Sequence, residues 1–336
     1  MNKIKVGING FGRIGRALTR IAEDREDIEI VAINTRKSHN DMMAYMLQHD
    51  SVYRTFGKKV EASSDGLMID GRKIATLLND APENIPWGDF GVEVVVDATG
   101  AFNTTEDLQK HIRATVKKVI LSAPSKDDVT PHVVLGVNDD VFDWTASVIS
   151  NASCTTNCAA PLIKVLHDNF TITNGMLSTI HAATLTQALL DDVGKSPDRS
   201  RAAFLNTIPS TSGAAKAVAK VVPAMNGKLE VGSIRVPVAT GSLTEVVVNV
   251  EKATTIEQVN EVFKNASAKQ PKILGFETEI LVSSDYIGDA RSSIFDANYT
   301  KVLGGTMIKI VGWYDNEWGY SQRLADVAAI AGQRIQ

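Results

Sequence analysis

Cysteine is nearly absent. Only Cys154 and Cys158 occur in 336 residues. Two thiols one helical turn apart make no disulfide framework, and no second ligand pair accompanies them as a zinc site would require. No metal is expected, and the expected compartment is reducing and cytoplasmic. Long apolar runs are missing too. No stretch reaches the ~18 residues of a membrane helix, and the opening MNKIKVGING has no apolar leader segment. Nor is there a large excess of one charge. A formal net charge of −4 gives no general attraction to nucleic acid or membrane surfaces, so neither is expected as a main partner. Internal repeats and low-complexity tracts are also lacking. What is present is globular composition, 44% hydrophobic and 22% charged, in a chain too long for one ordinary core and suited to two domains.

The first half alternates strand-like and helix-like segments. Residues 3–9, 28–33, 92–98, 118–121 and 132–136 read as strands; 13–23, 41–47 and 105–114 read as helices. The run VEVVVDA at 92–98 centres on three consecutive valines, as a strand buried on both faces of a parallel sheet should. Asp65-Gly66 and Asp70-Gly71 punctuate a small antiparallel excursion over 60–77. The pattern predicts an α/β fold with a doubly wound parallel sheet of Rossmann type over 1–151. Beyond that, longer alternating strands (175–181, 229–237, 244–250, 277–282, 293–296, 307–314) and helices (154–169, 213–222, 256–268) predict an α+β catalytic domain over 152–320 with a mixed or antiparallel sheet. Residues 183–207 have no clean period and read as a long functional loop. A terminal helix over 321–336 is expected to pack back on the first domain.

Gly10, Phe11, Gly12, Arg13, Ile14 and Gly15 match G-x-G-x-x-G between a strand and a helix, the context in which this pattern binds dinucleotides. The helix N-terminus offers free N–H groups to phosphate. The acidic residue expected about 20 residues on, which grips the ribose 2′-hydroxyl, is here Asn34, followed by Thr35, Arg36 and Lys37. An amide does not repel a 2′-phosphate and two cations attract it, so NADP is expected beside NAD. Thr99 and Ser122 fall at strand C-termini, where such cofactors lie.

The stretch Ala-Ser-Cys-Thr-Thr-Asn-Cys at 152–158 puts Cys154 at the mouth of a helix. The positive end of the helix dipole favours a thiolate, so a lowered thiol pKa is expected. Cys158 reads as a buried small residue.

Together, NGFGRIGR at 9–16, SNASCTTNC at 150–158, HAAT at 181–184, GAAKA at 213–217 and WYDNEWGYS at 313–321 resemble the phosphorylating glyceraldehyde-3-phosphate dehydrogenase family, in the right order and over nearly the whole chain. The resemblance implies oxidation of glyceraldehyde 3-phosphate to 1,3-bisphosphoglycerate with NAD(P) and inorganic phosphate, through a thiohemiacetal and a thioester on Cys154. It makes His181 the base that activates the thiol and takes the hydroxyl proton. It gives the substrate phosphate to Thr184 and Arg235. Ser153, Thr155, Arg199, Ser212 and Gly213 are then assigned to the attacking phosphate or to the space between the two. Asn316 is implied to hydrogen-bond the nicotinamide carboxamide, and the assembly to be a homotetramer.

The chain departs from the family pattern at Asn34, at Asp80-Ala81-Pro82, at Ser212 in place of threonine, at Ala183 and in the loop 191–197. Two other readings share the same motifs. Erythrose-4-phosphate dehydrogenase uses the same cysteine, histidine and fingerprint, but typically lacks the hydroxyl-Gly-Ala-Ala phosphate element kept at 212–215. A redox-sensing or binding role would use Cys154 but would not need His181, Asn316 and two anion sites.

Overall fold

The computed structural model describes residues 3–36 and 39–335. The chain divides into two compact units, one of residues up to 133, 141–152 and 321 onward, the other of 134–140 and 153–320.

The first unit is built on an eight-stranded sheet: β1 (Ile4–Asn9), β2 (Ile28–Asn34), β3 (Val60–Ser63), β4 (Gly66–Ile69), β5 (Arg72–Leu77), β6 (Val94–Asp97), β7 (Lys118–Leu121) and β8 (Val148–Ser150). Their order is β3-β4-β5-β2-β1-β6-β7-β8. The pairs from β5 to β8 are parallel, while β3, β4 and β5 form the antiparallel excursion. All four residues of β6 and of β7 are buried, which is why these segments need no polar alternation. The helices are α1 (Arg13–Ala22), α2 (Asn40–Gln48) and the short α3 (Thr105–Gln109). The order reverses beside β1, with β2 on one side and β6 on the other, and ligands of such sheets bind at that switch.

The second unit carries a mixed sheet: β9 (Ile172–Ala182), β10 (Ile208–Thr211), β11 (Leu229–Val236), β12 (Ser242–Val250), β13 (Leu274–Glu277), β14 (Ser293–Asp296), β15 (Lys301–Leu303) and β16 (Met307–Tyr314). The order is β10-β11-β9-β12-β16-β14-β13, with β15 on β16. β9 runs parallel to β11 and antiparallel to β12. Its helices are α4 (Cys154–Phe170), α5 (Ala214–Val221) and α6 (Ile256–Lys269). α4 packs against β12, β14 and β16 and is flanked by α5 and α6. The last helix, α7 (Trp318–Gln333), has Asp326 paired with both Arg25 and Arg323, and Gly332 closely approached by Ile4. Among the described residues no helix is long and apolar enough to cross a membrane.

Some elements differ from the sequence reading. Residues 132–136 are not a strand. His132 makes one isolated bridge to Ser150, and then Asn138 and Asp139 accept the N–H groups of Val134 and Gly136, bending the chain away. β8, not anticipated, takes the edge place. α3 stops at Gln109, and the following residues turn tightly so that His111 is fully buried. The strand expected over 277–282 lies earlier, at Leu274–Glu277, and the Glu277 carboxylate then accepts from the N–H groups of Thr278 and Glu279. The short strands β10 and β15 were also not read. Residues 183–207 hold no strand and one helical turn, Pro197–Arg199.

Candidate active site

The glycine turn lies at the C-terminal edge of β1. Gly10 has φ +103°, and a Cβ there would meet Ala98 and Thr99 backbone atoms within 2.9 Å. A Cβ on Gly15 would lie 2.2 Å from the Gly10 carbonyl oxygen, so α1 can sit this close only with glycine. Gly12, by contrast, has open space where its side chain would be. It caps α1 with no side-chain hydrogen bond, and the first turn holds no acidic residue. Open N–H groups, a positive helix end and an empty approach fit a dinucleotide's phosphates.

Around that turn runs a buried polar network. The last residues of β2, β1 and β6 stand in register: Asn34 beside Asn9, Asn9 beside Asp97. Asn34 Nδ2 donates to Asn9 Oδ1 (2.8 Å) and to the Asn79 carbonyl (2.9 Å), and its Oδ1 accepts from the Asn79 N–H. Asn9 Nδ2 donates to Asp97 (2.8 Å), which also accepts from the Thr99 N–H and hydroxyl. Asn34 is 2% exposed. This corrects the expectation that its amide is presented to the ribose, because its N–H groups are already spent inside the fold. Thr35 anchors to Leu77 through its N–H, and Arg36 is exposed. Lys37 lies outside the described residues. Arg13 is paired with Asp50 and sits over the Tyr53 ring, while Phe11 is buried and Ile14 half-buried. Ser122 follows β7 and donates its N–H to the Asp97 carbonyl.

In the second unit, Ser153 caps α4 by accepting the Thr156 N–H at 3.0 Å, which makes Cys154 the first helical residue. Its sulfur lies 3.4 Å from His181 Nε2. His181 is the last residue but one of β9, and its Nδ1 donates to the Ala182 carbonyl at 2.8 Å. With the proton on Nδ1, Nε2 faces the sulfur as an acceptor. Burial pushes the Cys154 thiol up, against the opposing pull of Arg235 and of the Thr155 and Cys154 N–H groups. Burial and the Arg235 charge also hold His181 down, to about 3. The helix end alone therefore does not lower the thiol as the sequence suggested; burial is the larger effect. Separate ionisation of either group is opposed. The 3.4 Å contact places Nε2 where it can accept the sulfur's proton, and a thiolate and an imidazolium so close attract each other. Cys158 is fully buried against Ser293 and pushed up to about 12, an inert thiol.

Arg235 sits on β11 directly beside His181 in the parallel register. Its Nη1 donates to the Ala182 carbonyl, and its buried Nε has no hydrogen-bond partner among the described residues. Arg199 repels it electrostatically. Arg235 bears on both the thiol and His181, Arg199 bears on His181, and such cations with an unsatisfied N–H are the chemistry an anion requires. Arg199 donates to Thr186, whose hydroxyl is 2.9 Å from that of Thr184. Ser212 and Gly213 lead into α5, Ser212 accepting the Ala214 N–H and Gly213 standing exposed.

Family models for two domains match this chain: "Glyceraldehyde 3-phosphate dehydrogenase, NAD binding domain" over 4–105 and "Glyceraldehyde 3-phosphate dehydrogenase, C-terminal domain" over 153–316. The chain belongs to the glyceraldehyde 3-phosphate dehydrogenase family. It is 47% identical to glyceraldehyde-3-phosphate dehydrogenase 1 of Bacillus cereus over 97% of both chains. It is 47% identical to the glyceraldehyde-3-phosphate dehydrogenase of Geobacillus stearothermophilus, again over 97% of both. A fungal relative, glyceraldehyde-3-phosphate dehydrogenase 1 of Mucor circinelloides f. lusitanicus, is 45% identical over 98% of both.

Within this member of the family, Asn316 is buried and its Oδ1 accepts from Ser242 (2.8 Å) and Thr240 (3.3 Å). Those two hydroxyls fix the orientation of the amide. Sequence reasoning missed Tyr314, although it lies in the WYDNEWGYS motif. Its ring stands edge-on to His181 with centroids 6.1 Å apart, and its hydroxyl reaches Thr155 and Thr179. No local pattern marks a tyrosine for such contacts, because they form across strands.

Proposed function

We propose that this chain catalyses the phosphorylating oxidation of glyceraldehyde 3-phosphate to 1,3-bisphosphoglycerate, with Cys154 as nucleophile and His181 as general base. The observation that carries this is the 3.4 Å approach of the Cys154 sulfur to His181 Nε2 beside Arg235. The thiol gives its proton to His181 as sulfur bonds to the aldehyde carbon. The carbonyl electron pair moves to oxygen, where the Cys154 N–H at the helix mouth is the available donor. His181 returns the proton to give a thiohemiacetal. His181 then takes the hydroxyl proton while hydride leaves the carbon, and the C=O re-forms as a thioester. NAD, when bound, accepts that hydride. A phosphate oxygen attacks the thioester carbon, the C–S pair returns to Cys154 together with the proton held on His181, and the acyl phosphate departs.

Arg235 and Thr184 hold the substrate phosphate in this reading, and Arg199, Ser153, Thr155, Ser212 and Gly213 serve the attacking phosphate or lie between the two. Support comes from the cation pair and the orphaned Arg235 N–H. The Ser153 and Thr155 hydroxyls have partners within the protein, so their share is to shape the helix mouth. Gly10, Gly12, Gly15 and the start of α1 hold the dinucleotide phosphates, and Asn316 the carboxamide. The active form is a homotetramer, working with free thiols in a reducing, cytoplasmic compartment.

NADP serves beside NAD. Exposed Arg36, just beyond the end of β2, is the nearest described cation in sequence. Steady-state assays with each cofactor test this. Arg36→Ala should raise the KM for NADP several-fold and leave that for NAD nearly unchanged; equal losses would show that Arg36 does not read the 2′ position. Turnover of erythrose 4-phosphate in preference, or turnover indifferent to phosphate, would contradict the substrate assignment.

A further inference from the structure

Among the cations proposed to hold phosphate stands one charge of the opposite sign. Asp198 precedes Arg199 in the helical turn Pro197–Arg199, and its Oδ2 lies 3.6 Å from the Arg199 Nε. The carboxylate is fixed in place by two hydroxyls. Ser196 donates to Oδ1, and Ser210 donates to Oδ2 at 2.8 Å. These hydrogen bonds hold its carboxyl below the ordinary value, so it is an anion at neutral pH.

The Ser210 tether places that anion relative to the sheet. Ser210 is on β10, antiparallel to β11, with Ile208 opposite Arg235 and Ser210 opposite Ser233. Residues opposite each other share a face of the sheet, and so do residues two apart on one strand. Ser210 is therefore on the Arg235 face, two residues before Ser212. Arg199 is joined to the same region from the other side, its Nη1 donating to Thr186 at 2.9 Å. Arg201, the next arginine of the loop, is paired with Asp191 at 2.9 Å. The loop thus sets an acid against each arginine, and the acid set against Arg199 is the one tethered to the sheet.

A phosphate dianion drawn to Arg199 meets a fixed carboxylate beside the same guanidinium. The two anions repel and share one cation, so part of the attraction is cancelled. We infer that Asp198 sets the strength of this anion site, so that inorganic phosphate is held more loosely than Arg199 and Arg235 alone would hold it. The inference rests on the reading of Arg199 as a holder of the attacking phosphate. Loose holding suits a reactant that must be consumed at each turn, because binding equal in ground and transition states does not raise turnover. Asp198 is a positioning residue in this account, acting through Arg199.

The test is steady-state turnover with inorganic phosphate varied, repeated with sulfate as a dianion competing against phosphate. Asp198→Asn keeps the size of the side chain and an oxygen for the hydroxyls, and removes the charge. The KM for phosphate should fall about three- to five-fold, the upper range for one partly exposed charge pair. Sulfate should compete at a concentration lowered by the same factor. Asp198→Glu keeps the charge and should keep the original KM. A loop that is only loosened binds phosphate worse, so a KM that rises or stays the same in Asp198→Asn would overturn the inference. If Asp198→Asn does not fold, Asp198→Ser removes the same charge and decides in its place. Arg199→Ala, measured in parallel, should raise the KM for phosphate. No change there would show that Arg199 does not hold phosphate, and the inference would fall with that reading. A raised KM in Arg199→Ala without a fall in Asp198→Asn would sink the inference alone.

Discussion

At residue 154 three influences meet, and their signs differ. The helix mouth and Arg235 favour the thiolate, while burial opposes it. Only a neighbour able to take the proton resolves this, and His181 Nε2 is that neighbour. Cys154→Ser should therefore abolish dehydrogenase turnover while NAD titration of the protein stays unchanged. His181→Asn should lower kcat by about 10²–10⁴, the range of a lost general base, with a smaller effect on KM. A His181→Asn enzyme within a few-fold of full activity would remove the histidine from the mechanism. The cysteine motif and the histidine were legible in the sequence because residue type and spacing carry the chemistry. The sign of the thiol shift was not, since burial is a property of the packed fold. The same holds for Asn34, whose amide is consumed by Asn9 and Asn79, residues far away in sequence.

At the scale of elements, two helix beginnings do the positioning. α1 begins without a cap and presses onto its own glycine turn; α4 begins with a Ser153 cap. A Cβ at residue 15 must displace the Gly10 carbonyl from 2.2 Å. Gly15→Ala should thus cost about 1–3 kcal/mol in stability and weaken NAD binding, read by thermal melts and by cofactor fluorescence titration. Ser153→Ala should cost about 1 kcal/mol by loss of the cap. Normal NAD affinity in Gly15→Ala would show that the close approach is not needed. The inner parallel strands, β6 and β7 among them, were readable as apolar runs, since burial on both faces leaves only one composition. β8, β10 and β15 were not, because each is short and defined by its partner strand, with no period of its own.

For the whole molecule, acid should act through groups kept out of their ordinary state. His181 is neutral and held at about 3, whereas the unfolded chain protonates near 6.5. Between those values the unfolded state binds more protons, so stability falls as pH falls through that window. Asp127 works lower down: burial raises it, but hydrogen bonds from Thr130 and Thr105 outweigh this and hold it at about 2 against 3.8. Its contribution is lost as pH falls from 3.8 toward 2. Urea midpoints of the transition that buries His181 should drop between pH 7 and 5 by the equivalent of at most about 2 kcal/mol. That slope should flatten in His181→Asn; a parallel slope would assign the acid sensitivity elsewhere.

The most direct test of the account is a single-turnover experiment. Enzyme is mixed with glyceraldehyde 3-phosphate and NAD without phosphate, then phosphate is added. The account predicts a burst of NADH stoichiometric with active sites, a phosphoglyceroyl mass adduct on Cys154, and steady turnover only once phosphate arrives. Continuous turnover without phosphate, or an adduct anywhere but Cys154, would contradict it.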